Sequence, residues 1–163
     1  MWPAGTSGMI AFMDAQISPA ALADIHQVLA DHHRFWGDRD LRNLHLIALV
    51  QEFGSTCLVA RAADGIRGYL VGFVTPGGLG YVHLIATRDD TRGTGLGRRL
   101  YESFAEAAGA QGARRLKAIT SVGNHGSIAF HGSLGFESRI VEDYNGPGLG
   151  PMVVFERALP FAG

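Results

Sequence analysis

The sequence predicts an α/β fold: a mixed, mostly antiparallel central sheet of six or seven strands flanked by helices. Three observations lead there. Strand-like apolar runs at Ser55–Arg61, Gly68–Thr75 and Gly80–Thr87 follow one another directly, joined by turns at Asp64-Gly65 and Pro76-Gly77-Gly78. After Thr87 strand and helix patterns alternate, which adds layered α/β units to the opening meander. A glycine-rich turn, Arg92-Gly93-Thr94-Gly95-Leu96-Gly97, stands between a strand and a helix. The length of 163 residues suits one domain spanning 1–163, and an apolar share of 47% is enough to fill its core.

In chain order, residues 1–8 are expected to be flexible, and Met9–Ala15 to form the first strand. Ser18-Pro19 reads as a helix start, with Ser as N-cap and Pro in the first turn. Leu22, Ile25, Val28 and Leu29 then share one face. Asp31–Asp38 is polar and aromatic; it reads either as a binding loop that presents Trp36 to a substrate, or as a connection that tucks Phe35 and Trp36 into the core. A helix from Asp40 to about Phe53 follows, with apolar residues spread all round it. Past the glycine turn, Leu96, Leu100, Phe104, Ala107 and Ala108 line one face of a helix over Gly95–Gln111. A strand at Arg115–Thr120 and a short helix at Ser127–Ser133 come next. Gly135 suits the left-handed cap of that helix, and Phe136 is expected to open a buried strand, Phe136–Glu142. Asp143–Pro151, rich in Gly and Pro, reads as a flap or as a plain connection to the last strand, Met152–Glu156.

Composition excludes several functions. A net charge of −1 and a charged share of 18% argue against nucleic acid or an anionic membrane as partner. The single cysteine, Cys57, excludes an internal disulfide and reads as a packed thiol in an apolar segment. His32 and His33 have no third ligand at a familiar spacing, so no metal is expected. The first basic residue is Arg34, which argues against a secretory signal, and no apolar run reaches the ~18 residues of a membrane span. The expectation is a cytoplasmic protein.

The glycine turn carries the chemistry. Backbone N–H groups in the first turn of a helix have no partner inside it, and the helix dipole adds partial positive charge at the same place. Glycines let a ligand approach the backbone, and Arg92 adds a full charge suited to phosphate. The ligand should carry phosphate or pyrophosphate. A Walker loop is excluded because Gly-x-x-x-x-Gly-Lys-Ser/Thr is absent. A dinucleotide fingerprint is disfavoured: Arg98 stands where its third glycine belongs, and no acidic residue lies near residue 117 to hold a ribose.

Arg-Gly-x-Gly-x-Gly resembles the acetyl-CoA loop of the GNAT superfamily of N-acetyltransferases. Asn124-His125-Gly126-Ser127-Ile128-Ala129-Phe130-His131-Gly132-Ser133-Leu134-Gly135-Phe136 resembles a second GNAT segment, in which an Asn follows a strand and a short helix ends in Leu-Gly-Phe. The resemblance runs from about Gly80 to Phe136, extends more loosely over Ser55–Glu156, and is weakest over residues 1–54. It implies acetyl transfer from acetyl-CoA to the primary amine of a small molecule, by direct attack in a ternary complex. It assigns the pyrophosphate to Arg92, Gly93, Thr94, Gly95, Leu96 and Gly97, while Arg98 and Arg99 read either as reaching outer phosphates or as solvated helix arginines. A backbone N–H near Leu84, Ile85 and Ala86 would polarise the thioester carbonyl, and Asn124, Ser127 and Phe130 would contact the cofactor. His83 is the candidate base, sharing a strand face with Tyr81 and Ile85. Many GNAT sequences carry a Glu on this strand, and none occurs between Gly80 and Thr87. His131 stands where the family usually places a Tyr that protonates the leaving thiolate, and is the candidate acid. Trp36, Tyr81 and Tyr144 are candidate substrate contacts. A catalytically silent acyl-CoA sensor and a protein lysine or N-terminal acetyltransferase are the alternatives. The resemblance is compatible with a homodimer.

Overall fold

The computed structural model describes residues 15–161. The expected flexible segment 1–8, and the expected first strand up to Asp14, lie outside them. Seven strands form an open, mostly antiparallel sheet: β1 (Gln16–Pro19), β2 (Leu58–Ala62), β3 (Gly65–Val74), β4 (Leu79–Thr87), β5 (Arg115–Ser121), β6 (Glu137–Val141) and β7 (Met152–Ala158). Their order is β1-β2-β3-β4-β5-β7-β6. The helices are α1 (Leu22–Ala30), α2 (His32–Trp36), α3 (Ile47–Glu52), α4 (Leu96–Ala110) and α5 (His125–Ser133). The chain divides into two compact units, one formed by residues up to Gly72 with Leu84–Phe104, the other by Phe73–His83 with the residues from Ala105 on.

In the first unit β1 pairs with β2, and β2 with β3, both antiparallel. Ser18 and Pro19 belong to β1 and do not open a helix. Pro19 is tolerated there as the last residue of an edge strand. The start of α1 is set instead by Asp24, whose carboxylate accepts the Ala21 N–H at 2.8 Å and pairs with Arg61 at 2.7 Å. Ile25 and Val28 of α1 pack with Phe35, Val50, Cys57, Val59, Tyr69, Leu84 and Ala86 into one apolar cluster. Cys57 is fully buried, and burial raises its thiol pKa, so the packed-thiol reading holds. Gly68 is closely approached: a Cβ there would lie 3.1 Å from the side chains of Leu96 and Leu100 and 3.2 Å from the Ala86 carbonyl oxygen.

The expected helix over Asp40–Phe53 is broken into a 3-10 turn at Arg42–Leu44 and α3. His45 falls at the break, and its imidazole is buried. The expected binding loop at Asp31–Asp38 is largely the short helix α2, which inserts Phe35 into the core.

Arg88, which is buried, reaches Asp64 at 2.8 Å and Asp90 at 2.6 Å, and Arg67 reaches Asp64 at 2.9 Å. The hydrogen bonds from Arg67 and Arg88 hold the Asp64 carboxyl down to about 2. This contribution is present above the ordinary carboxylate range and is lost as pH falls through about 2. Asp64→Ala removes one carboxylate from Arg67 and one of two from Arg88. Because Asp64 is half exposed, we expect a loss of about 1–2 kcal/mol in urea unfolding at pH 7. A loss below a few tenths would mean that Asp90 alone satisfies the buried guanidinium.

In the second unit a parallel ladder joins Leu79–Val82 to Arg115–Ala118. β5 runs three residues further, to Ser121, and pairs along its whole length with β7. Strand β6 pairs with β7 at the sheet edge. The expectation of a buried strand after Leu-Gly-Phe is corrected: Phe136 is buried, but β6 is mostly solvent-facing, with Ile140 64% exposed. Gly135 has φ of 79°, the left-handed conformation expected of the cap.

Candidate active site

The first unit carries the glycine turn. After β4 the chain makes a 3-10 turn at Asp89–Thr91 and enters α4. The buried Thr91 hydroxyl bonds the carbonyls of Arg67 and Arg88, and the Thr94 hydroxyl donates to the Thr91 carbonyl. Gly93 and Gly95 have φ of 77° and 84°, conformations that L side chains rarely adopt. A Cβ at either would meet nothing within 4 Å, so the space beside the turn is open. The Arg99 N–H donates to the Gly95 carbonyl at 3.1 Å. By helical geometry the N–H groups of Leu96, Gly97 and Arg98 therefore precede the first intrahelical bond. The side chain of Leu96 is buried and pins this turn to the core.

Arg92 is exposed, and its guanidinium donates to the Phe35 carbonyl at 3.0 Å. That bond uses one of five donors. The Arg99 guanidinium donates to the Ala15 carbonyl at 2.8 Å. On β4, Leu84 and Ala86 point into the core, and Ile85 is half-buried on the other face.

Trp36 is half-buried. Its indole N–H donates to the Tyr69 hydroxyl at 2.7 Å, which in turn lies 2.6 Å from His45 Nε2. His45 Nδ1 lies 2.8 Å from the Leu41 carbonyl, and the Leu41 N–H donates to His32 Nε2 at 3.1 Å. A carbonyl can only accept, so His45 carries its proton on Nδ1 and accepts the Tyr69 O–H at Nε2. Sequence reasoning missed this chain because its members are joined only by folding.

The remaining candidates lie in the second unit. Tyr81 and His83 are half-buried on one face of β4, as alternation requires. Tyr81 stacks obliquely on Phe73 at 5.4 Å, and burial together with Tyr144 pushes its hydroxyl up to about 12. Tyr144 is half-buried, with the Lys117 ammonium 4.9 Å from its ring centre. Its connection is tied to itself: the Asp143 carboxylate accepts the N–H groups of Gly148 and Gly150 at 3.1 and 3.2 Å.

Asn124 is the N-cap of α5. Its Oδ1 accepts the Ser127 N–H at 3.1 Å, and its Nδ2 donates to Thr120 Oγ1 at 3.0 Å. Phe130 is half-buried beside His131. His131 itself is 3% exposed and lies flat on Phe155 at 4.2 Å. Its Nδ1 is 2.8 Å from the Ser127 carbonyl, and burial pushes its pKa down to about 4. The imidazole is therefore neutral near pH 7 with its proton on Nδ1, held by that carbonyl. So held, the imidazole packs α5 on the sheet with its Nδ1 proton engaged by the Ser127 carbonyl. Among the described residues no group of three or more His, Cys, Asp or Glu could hold a metal, and no helix is long and apolar enough to cross a membrane.

Residues 22–136 match the model of the acetyltransferase (GNAT) family. The chain belongs to this family. The GNAT chain is 34% identical over 140 residues to the L-methionine sulfoximine/L-methionine sulfone acetyltransferase of Pseudomonas paraeruginosa, covering 77% of this chain and 81% of the relative. Its fold is shared by Ard1 from Thermoplasma volcanium, with a TM-score of 0.72, 16% identity, and coverage of 90% of this chain and 98% of the other. It is shared too by Arabidopsis thaliana Naa50 in complex with the bisubstrate analogue CoA-Ac-MVNAL, with a TM-score of 0.70, 15% identity, and coverage of 89% and 99%. The GNAT chain is thus an acetyltransferase by family.

Proposed function

We propose that the protein moves an acetyl group from acetyl-CoA to the primary amine of a small α-amino acid, by direct attack in a ternary complex. The observation that supports it most is the turn before α4, with two left-handed glycines and open space beside them. The N–H groups at the start of α4 precede its first internal bond, and no Cβ at Gly93 or Gly95 stands in the way of a pyrophosphate there. The acceptor class follows from the relative that acts on L-methionine sulfoximine and L-methionine sulfone, at 34% identity.

Bound acetyl-CoA supplies an acetyl thioester. Backbone N–H groups from Gly93 to Arg98 hold its phosphates, with Arg92 adding charge. A backbone N–H of the Leu84–Ala86 stretch donates toward the carbonyl oxygen, where negative charge develops in the transition state. Asn124, Ser127 and Phe130 are further cofactor contacts, and Tyr81 and Tyr144 are acceptor contacts. An amino-acid amine is mostly protonated at neutral pH and must lose a proton before attack. His83 takes it, directly or through water. A thiol has a pKa of about 8.5, so a donor for the departing sulfur helps but is not required; the burial of His131 does not stand against turnover.

Calorimetric titration with acetyl-CoA, against NAD and ATP, tests the cofactor. CoA release over a panel of amines that includes L-methionine sulfone tests the acceptor. Selective acetyl-CoA binding without CoA release from any amine would leave an acyl-CoA sensor. Release only with peptides would give a protein acetyltransferase. His83→Gln is expected to lower kcat by about 10²-fold or more, with acetyl-CoA affinity unchanged. An unchanged kcat would remove His83 as the base.

A further inference from the structure

We propose that Lys117 is the anchor for the carboxylate of the acceptor, and so makes the site selective for α-amino acids over simple amines. The inference rests on the amine acetyltransferase reading above and names the group on the substrate that its specificity reads.

Lys117 is the only lysine in the chain; the other basic residues are arginines. It sits in mid-strand on β5, half-buried, where a flexible ammonium stem is an unusual choice. Its strand neighbours are Tyr81 on β4 and Glu156 on β7. Residues directly opposed in neighbouring strands share a face, so Tyr81, Lys117 and Glu156 form one row across the sheet. Glu156 is the natural partner for the lysine, yet its carboxylate faces Arg139, at 3.7 Å. The Lys117 ammonium instead lies over the ring of Tyr144. A ring face attracts a cation but accepts none of its three N–H bonds in the ordinary way. Among the described residues no carboxylate stands within 4.0 Å of it.

The surrounding donors match an anion. The Tyr81 hydroxyl stays protonated throughout the neutral range, because burial and Tyr144 push it up to about 12. The Lys117 ammonium and the Tyr81 and Tyr144 hydroxyls thus form a cluster of donors at one patch, with Phe73 providing apolar wall beside Tyr81. His83 lies two residues along β4 on the same face, about 7 Å from Tyr81 at strand spacing. An α-amino acid carries its amine and its carboxylate on the same carbon. When the amine is presented to His83, the carboxylate falls toward Tyr81 and Lys117. A primary amine without a carboxylate leaves the ammonium on the ring alone.

The test compares L-methionine sulfone with its decarboxylated analogue, 3-(methylsulfonyl)propan-1-amine, in the wild type, Lys117→Met and Lys117→Arg. In the wild type kcat/KM should favour the amino acid. In Lys117→Met that preference should fall about 10-fold or more, chiefly through KM, as expected for loss of a charge-assisted hydrogen bond. Lys117→Arg should restore most of it. A preference equal to the wild type in Lys117→Met would overturn the proposal and leave Lys117 as a support for the Tyr144 connection. So would a wild type that does not prefer the amino acid. Calorimetry of both ligands into the CoA-loaded protein decides the same ratio without turnover. Failure to bind acetyl-CoA would overturn the functional reading by itself; the ligand-binding ratio, then measured on the unloaded protein, still decides the carboxylate site.

Discussion

His131→Phe should flatten the acid limb of the stability curve. The wild-type imidazole is 3% exposed, stacked on Phe155 at 4.2 Å, with edge contacts to Phe130 and Phe136. Burial pushes its pKa from 6.5 to about 4. An unfolded chain takes up this proton near 6.5, and the folded chain only near 4. Between those values the unfolded state binds more protons, so stability is lost as pH falls through that window and is whole above it. The full contribution is on the order of 3 kcal/mol. Phenylalanine keeps the stack and removes the titration, while leaving the Ser127 carbonyl without its side-chain donor. Urea unfolding at steps from pH 7 to pH 4 should show a steep fall in the wild type and a shallower one in the variant. Parallel curves would mean that His131 is open enough to water to titrate normally, and would support it as the candidate acid. His131→Ala, which also empties the stack, should cost about 2–4 kcal/mol at pH 7.

Gly95→Val should abolish measurable acetyl-CoA binding while the protein remains folded. Gly95 has φ of 84° with open space beside it. The backbone conformation costs a β-branched residue roughly 1–3 kcal/mol, and the new side chain enters the space proposed for the pyrophosphate. Relief of strain would turn the N–H groups of Leu96 and Gly97 away from a common point. We expect affinity to fall about 100-fold or more. Gly112→Val makes the control: Gly112 has φ of 90°, past the end of α4, and also has open space beside it. It should lower the Tm similarly and leave affinity alone. Equal loss of affinity in both variants would point to general destabilisation and away from a phosphate site at Gly95.

Much of the second half of the chain was readable before folding. Periodicity placed α4 to within about one residue at each end, and Leu96, Leu100, Phe104 and Ala108 are buried as the stripe requires. The same stripe missed Tyr101 and Ala105, which are also buried, because α4 is covered over more of its circumference than one face. The glycine turn was legible because left-handed backbone restricts residue type locally. The region before Leu58 was read less well. Ser18-Pro19 carries the composition of a helix start, but pairing with β2 overrides it. The helix expected over Asp40–Phe53 is interrupted where His45 turns inward to Tyr69, a residue 24 positions away.

The sequence by itself determined the order of strands and helices after Leu58 and the place of the glycine turn, because both depend on short-range rules: period, glycine backbone and helix ends; the family was legible through the resemblance of two motifs. Tertiary structure decided what the side chains do. It buried His131 and lowered its pKa, committed the Trp36 indole to Tyr69, and set Lys117 over Tyr144 with Glu156 turned to Arg139. Those outcomes depend on desolvation and on partners distant in sequence, and neither is encoded by spacing along the chain.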